Sequence, residues 1–232
     1  MRRPPAIAGS LHRDEGGFTL VELLSSLAVG MVVIFAIFGL LDYTVSAQRK
    51  VEDRVDAVQR GRNAMEVITQ QLRSQICLGP GYPAITSADG NSVTFYTDLG
   101  GETSKLQRRT IAFNPATGTV SQTDWNMSGS IPTAPTFTLA RTVNLATNLI
   151  GVGTTPFFRY YAFAQNPVTP NLLLASPLSD ADEARVVKVG ISFVARPTRG
   201  GNLTNQVPTT FQNDVYVRTS DASDPEHSPQ CI

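Results

Sequence analysis

The sequence contains few of the residues from which metal sites and nucleophile-base pairs are built. Its 232 residues include only two cysteines and two histidines, His12 and His227. Two cysteines are too few for a disulfide-rich scaffold, and these two lack the paired spacing of a zinc site. With so few histidines, a Ser-His-Asp arrangement has no well-placed base. The composition therefore favours a protein that is not an enzyme, and it predicts neither a metal ligand nor a cofactor.

An excess of charge of either sign is also lacking. Nineteen Lys and Arg residues balance nineteen Asp and Glu residues, so the formal net charge is zero. No overall electrostatic field therefore attracts nucleic acid or an acidic substrate. Hydrophobic residues make up 41% of the chain, which suits one compact domain with a short appendage and excludes a wholly disordered chain.

A long uncharged run near the N-terminus is the most informative feature that is present. No charged residue occurs from Leu23 to Leu41. At about 1.5 Å per residue, a helix of this length crosses a hydrocarbon core of about 30 Å. Arg2, Arg3 and Arg13 precede the run, which favours a cytoplasmic N-terminus. The sequence thus predicts a single-pass inner-membrane helix followed by an exported domain.

A cleaved secretory signal is the alternative interpretation of the same run. Val45, Ser46 and Ala47 resemble a small-residue cleavage site, which would leave Gln48 as the first residue. Apolar regions of secretory signals contain roughly 7 to 15 residues and end close to that site. The present run is longer, and the charged Asp42 lies between it and the site. A retained membrane helix is therefore the favoured interpretation.

A short polar leader meets the apolar run at the sequence GGFTLVELL, residues 16–24, which places one carboxylate, Glu22, among apolar residues. A charge inside a membrane helix costs roughly 2.5 to 3.5 kcal/mol on insertion scales and normally marks function. The segment resembles the type IV prepilin cleavage signature. The resemblance implies that a prepilin peptidase removes residues 1–17 by cutting after Gly17. It also implies that the same enzyme methylates the amino group of the new first residue, Phe18.

The resemblance gives Glu22 a role in assembly. In a filament of packed helices, the carboxylate of Glu22 would be buried, and the ammonium group of a neighbouring subunit's Phe18 would neutralise it. Methylation leaves that amine able to carry its proton, so the charge pair survives the modification. The alternative is that Glu22 only reaches the polar membrane interface.

The chain after Leu41 predicts an amphipathic continuation of the helix, which would extend from Phe18 to about Gln75. Apolar residues recur there at three- and four-residue spacing, as expected of a helix with one covered face. These residues are Val51, Val55, Val58, Met65, Ile68, Leu72 and Ile76. A Gly-Pro-Gly sequence at residues 79–81 follows the predicted end of the helix.

The remainder of the chain predicts short strands separated by Pro, Gly and Asn. We expect strands over residues 91–98, 105–114, 119–125, 136–144, 157–163, 185–194 and 209–219, with a hairpin turn from Asn114 to Thr119. The predicted fold class is α+β and pilin-like, with a long N-terminal helix packed on an antiparallel β-sheet head. The predicted segments are a leader (1–17), a membrane or filament-core helix (18–41), an amphipathic helix (42–78) and an exported head (79–232).

The order of these segments resembles the J-type minor pseudopilins of type II secretion systems and similar minor pilins. The supporting stretches are residues 60–78, 107–113, 158–161, 185–194 and 211–218. The resemblance implies a minor subunit in the tip or initiation complex of a pilus or pseudopilus. It further implies four partners: the prepilin peptidase and methyltransferase, other pilins or pseudopilins, an inner-membrane assembly platform, and membrane lipid.

Three expectations about the head stay open. Arg108, Arg109 and Arg141 would form a basic patch if the head of a competence or adhesion pilin bound DNA or a surface ligand, although strand arginines are usually solvated. The acidic segments 180–183 and 221–224 fit solvated loops better than calcium sites, because neither has EF-hand spacing. Cys77 and Cys231 either form one disulfide in the exported compartment or remain two thiols.

Overall fold

The computed structural model describes residues 17–79, 81–98, 106–129, 135–165, 167–197, 209–218 and 220–224. The chain divides into two compact units, and it passes from one to the other between Val51 and Glu52. Helix α1 (Leu20–Arg73) contains 54 residues and contributes to both units. The two units are described separately below.

The first unit contains the N-terminal part of α1. Thr19 precedes the helix, and its hydroxyl oxygen accepts a hydrogen bond from the Glu22 backbone N–H at 3.3 Å. The Thr19 carbonyl oxygen also accepts from the Leu23 N–H, at 3.1 Å. These contacts satisfy amide groups that the first helical turn would otherwise leave unpaired. Among the described residues, α1 is the one helix that is long and apolar enough to span a membrane.

The second unit contains the remainder of α1 and two antiparallel β-sheets. The first sheet has the strand order β1-β2-β3-β4-β5. Its strands are β1 (Ile85–Ala88), β2 (Ser92–Asp98), β3 (Leu106–Asn114), β4 (Thr119–Ser128) and β5 (Thr136–Ala146). In the second sheet the order is β10-β9-β7-β8, and β6 also pairs with β9. The elements after β5 are β6 (Leu149–Ile150), β7 (Phe158–Gln165), β8 (Val168–Leu173), the short helix α2 (Asp180–Glu183), β9 (Lys188–Ala195) and β10 (Thr209–Tyr216).

The hydrophobic core lies between α1 and the two sheets. Ile68 and Leu72 of α1 are fully buried and belong to one cluster with apolar residues of both sheets. Near Gly61, α1 passes close to β10, and a Cβ atom on Gly61 would overlap the Phe211 ring. Beyond the helix, the Ile76 N–H donates to the Tyr96 carbonyl at 2.9 Å. The chain therefore leaves α1 by joining the edge of the first sheet.

The predicted hairpin between β3 and β4 is confirmed, since Asn114 and Thr119 are paired across it. The Asn114 side-chain oxygen accepts hydrogen bonds from the N–H groups of Ala116 and Thr117 at 3.0 and 3.3 Å, as in an Asx turn. Gly118 has φ +66°, and a Cβ atom there would lie 2.5 Å from the Leu149 carbonyl oxygen. Both its conformation and this close approach favour glycine.

The α+β fold class, with a long N-terminal helix packed on antiparallel strands, is confirmed. Three details differ from the sequence prediction. The strands form two sheets, and β1, β6, β8 and α2 were not predicted. The apolar stripe is buried only from its middle onward, because Val51 and Val55 remain 63% and 49% exposed.

Candidate functional site

The predicted cleavage point lies immediately before α1. Gly17 and Phe18 are exposed, and the Phe18 side chain retains 83% of its accessible surface. Among the described residues, no heavy atom lies within 4 Å of the position that a Cβ atom on Gly17 would take. Within the described residues, both sides of the predicted cleavage point are therefore exposed.

Glu22 lies in the first turn of α1, three residues after the capping Thr19. The Thr-x-x-Glu spacing is that of a capping box, and the hydrogen bond observed here is the one that the Thr19 hydroxyl accepts. A carboxylate in this turn also interacts favourably with the helix dipole. Glu22 makes no ion pair with another described residue. The Thr19 cap was not predicted, although the four-residue pattern was the signal for it.

The membrane-length part of α1 carries its apolar side chains on all sides. Leu20 is 76% exposed, Val32 69% and Phe35 71%. Burying one such side chain contributes about 1.5 to 3 kcal/mol, so an aqueous environment is strongly unfavourable for the whole segment. The segment therefore requires lipid or neighbouring helices.

A second arrangement of interest is a polar network inside the head. Asp124 on β4 is 1% exposed and accepts hydrogen bonds from two arginines. Arg109 Nε lies 2.6 Å from Asp124 Oδ1, and Arg141 Nε lies 2.8 Å from Oδ2. Gln122 Nε2 is 2.9 Å from both carboxylate oxygens. Arg109 also donates to the side-chain oxygen of Gln71, so the network connects α1 with β3 and β4.

The charge state of Asp124 follows from two opposing effects. Burial disfavours the carboxylate and by itself would raise its pKa. The hydrogen bonds from Arg109, Arg141 and Gln122 outweigh that effect, so the pKa of Asp124 lies below its ordinary value. The carboxylate is therefore ionised at neutral pH, and its charge is matched within the network.

The three arginines that were considered as a basic patch do not form one. Arg109 is 3% exposed and is paired with Asp124. The Arg141 side chain is 62% exposed and is paired with the same carboxylate. Arg108 places its guanidinium carbon 4.9 Å from the Trp125 ring centre and 4.5 Å from that of Phe137. Alternation along β3 puts Arg108 and Arg109 on opposite faces of the sheet. The expected patch is wrong in this respect, because the arginines serve contacts within the head.

The acidic segments have local structural contacts. Residues 180–183 form α2, where the Ser179 hydroxyl accepts from the Asp182 N–H at 3.3 Å. Burial, followed by the charge of Asp180, raises the pKa of Glu183. At the other segment, Asp221 accepts from the Ser223 N–H at 2.8 Å. Within the described part of the chain, no group of three His, Cys, Asp or Glu residues is arranged to hold a metal ion.

Of the two cysteines, only Cys77 lies among the described residues. Cys77 is partly buried and packs against the hydrophobic core just after α1. Cys231 lies outside the described residues. The Cys77–Cys231 disulfide therefore stays a prediction.

Comparison with known families supports the interpretation of the N-terminus. Residues 12–38 match the family described as the prokaryotic N-terminal methylation motif. This match indicates a type IV pilin-like protein, and proteins with the motif are processed by prepilin peptidase and assemble with other pilins. The motif and the apolar helix also suit a single-pass inner-membrane protein. A comparison with curated proteins found no match.

Proposed function

We propose that this chain is a minor pilin-like subunit that is inserted with its N-terminus in the cytoplasm, cut after Gly17 and methylated on Phe18. It then leaves the membrane to join a pilus or pseudopilus, in which residues 18–41 form part of the filament core. The observation that carries the proposal is the methylation motif at residues 12–38. The motif overlaps the start of an apolar helix whose side chains are exposed in this part of the chain.

Within that assembly, we assign the subunit to a tip or initiation complex that serves protein secretion, as in J-type minor pseudopilins. The two-sheet head supports this assignment because a broad head is accommodated most easily at a filament end. The alternative, a competence or adhesion pilin whose head binds DNA, loses its main support because Arg109 and Arg141 are paired with Asp124.

N-terminal mass analysis of the protein from its host's membranes tests the processing step. We expect a methylated Phe18 start when the prepilin peptidase is present and an intact Met1 start when it is deleted. A Gln48 start would indicate ordinary secretion and overturn the proposal. An intact Met1 in both strains would leave a simple membrane-anchored protein.

Glu22 offers a second test because its charge and its capping role can be separated. Glu22→Gln keeps a residue that suits the capping box but removes the charge. If the charge pairs with a neighbour's Phe18 ammonium, Glu22→Gln and Glu22→Ala should both enter filaments at least about tenfold less well, equivalent to about 1.4 kcal/mol. Both variants should still be inserted and cleaved.

The comparison of the two Glu22 variants is read from sheared filaments, with N-terminal mass as the control for processing. Normal incorporation of Glu22→Gln, together with poor incorporation of Glu22→Ala, would assign the effect to capping. That result would remove the charge pair from the proposal.

A further inference from the structure

An open groove runs between residues 62–73 of α1 and strand β10, within the second unit. Met65 and Phe211 provide its apolar floor, and Thr69 and Asn213 are joined across it by a hydrogen bond of 3.2 Å. The Phe211 ring also stacks on Phe193, with ring centres 5.6 Å apart. Core contacts therefore fix the floor and both walls of the groove.

The helix wall of this groove has the spacing of a helix-pairing surface. Val55, Val58, Arg62, Met65 and Thr69 follow one another at intervals of three and four residues. Such alternating intervals keep side chains on one stripe that faces a partner helix. Val55 is 49% exposed and Val58 is partly exposed, so the stripe continues beyond the end of the groove. A second helix on this stripe would cover the exposed apolar surface of Val55 and Val58.

The charges beside the groove define the chemistry of that helix. Arg62 and Arg73 are exposed on its rim, and Glu66 is the acidic residue that lines it. Within the described part of the chain, neither arginine has an ion-pair partner within 4 Å. On the opposite flank of α1, by contrast, Arg60 is paired with Asp56 at 2.5 Å. The rim thus has unmatched positive charge, which complements carboxylates.

We propose that the α1–β10 groove receives an acidic amphipathic helix from a neighbouring pilin-like subunit. Arg62 and Arg73 are eleven residues apart, or roughly 16 Å along the helix axis. The partner helix would present two carboxylates with a similar separation and place apolar side chains over Met65 and Phe211. The identity of the partner as a subunit rests on the proposed function, whereas its charge and helical form rest on the groove.

The recognition step can be tested with full-length protein in detergent micelles. The probes are two labelled synthetic helical peptides with the same apolar stripe, one with glutamates eleven residues apart and the other with lysines there. We expect the glutamate peptide to bind at least tenfold more tightly in fluorescence anisotropy and to weaken as salt is raised. Equal binding of the two peptides would overturn the proposal.

Charge reversal in the protein makes this test specific. Arg62→Glu/Arg73→Glu should reverse the preference, so that the lysine peptide binds better. Arg60→Glu is the matched control, since it reverses a charge in the same helix on the other flank and should leave the preference unchanged. A preference that survives in the double variant, or is lost in Arg60→Glu, would refute the assignment. Circular dichroism checks that each variant is folded.

The partner's identity is tested separately in host membranes. A photo-reactive residue in place of Gln70, which is exposed beside the groove, should cross-link to a protein that itself begins with a methylated residue. An adduct whose partner has no such start would overturn the assignment to a pilin-like subunit. N-terminal mass analysis of the same sample reports processing at Phe18, so failure of the groove proposal and failure of the proposed function give different results.

Discussion

The apolar side chains at the two ends of α1 differ in exposure. In the first unit, Val32 and Phe35 remain 69% and 71% exposed, whereas in the second Ile68 and Leu72 are fully buried by the sheets. Both stretches favour a helix, but only the second finds its cover within the same chain. The exposed first stretch therefore indicates that the protein needs lipid or neighbouring helices around it. The buried second stretch forms part of the hydrophobic core of the head.

The polar residues follow the same division. Glu22 has no charged partner among the described residues, although it lies in an apolar stretch. Asp124 lies deeper but is bound by Arg109, Arg141 and Gln122. A buried charge is tolerated when its partners are present, as they are for Asp124. Glu22 is exposed and has no such partner among the described residues, so its pairing with a neighbour's Phe18 stays a prediction. The contrast therefore separates a charge that stabilises the head from one whose role depends on the proposed assembly.

The largest expected effect comes from separating the two regions. Removing residues 1–41 should convert a protein that requires detergent into a soluble one, because the removed part contains the exposed apolar run. The shortened protein should unfold cooperatively, since the head's core contacts lie beyond residue 51. Sedimentation without detergent and thermal unfolding by circular dichroism measure the two properties. Aggregation of the shortened chain would show that the head depends on the first unit.

The sequence predicted the helix and seven of the strands because each has a strong local pattern. Apolar periodicity located α1, and the turn residues after Asn114 located the β3–β4 hairpin. The shorter elements β1, β6, β8 and α2 have little periodicity, and β8 contains Pro170, which argues against a strand. The division into two sheets depends on pairing between distant strands, which no local pattern encodes.

The head network could have been predicted in part. In β3, Arg109 shares its face with Ile111 and Phe113, and in β4 Asp124 shares its face with Val120. Two-residue alternation was therefore enough to place both charges inward. Their pairing could not be predicted, because it requires the register between β3 and β4, in which Arg109 lies opposite Asp124.

A buried charge pair and an exposed one should differ strongly in their contribution to stability. Arg109→Met leaves Asp124 buried with Arg141 and Gln122 as its remaining partners, so it should cost about 2 to 3 kcal/mol, less than a fully unpaired buried charge. Arg60→Met breaks the exposed pair with Asp56 and should cost less than about 0.5 kcal/mol. Urea unfolding followed by fluorescence of the single tryptophan, Trp125, measures both. Equal effects would mean that Arg109 contributes little beyond a surface pair.

The smallest effect compares two glycines of the same helix. A methyl group on Gly30 meets no atom within 4 Å, whereas one on Gly61 overlaps the Phe211 ring. Gly61→Ala should therefore destabilise the head by about 1 to 3 kcal/mol, despite the higher helix propensity of alanine. Gly30→Ala should leave head unfolding unchanged. Replacing Phe211 with leucine in the Gly61→Ala variant should recover part of the loss, because the shorter side chain makes room for the methyl group. If the second substitution adds to the loss instead, the close approach of α1 to β10 is not what requires glycine at position 61.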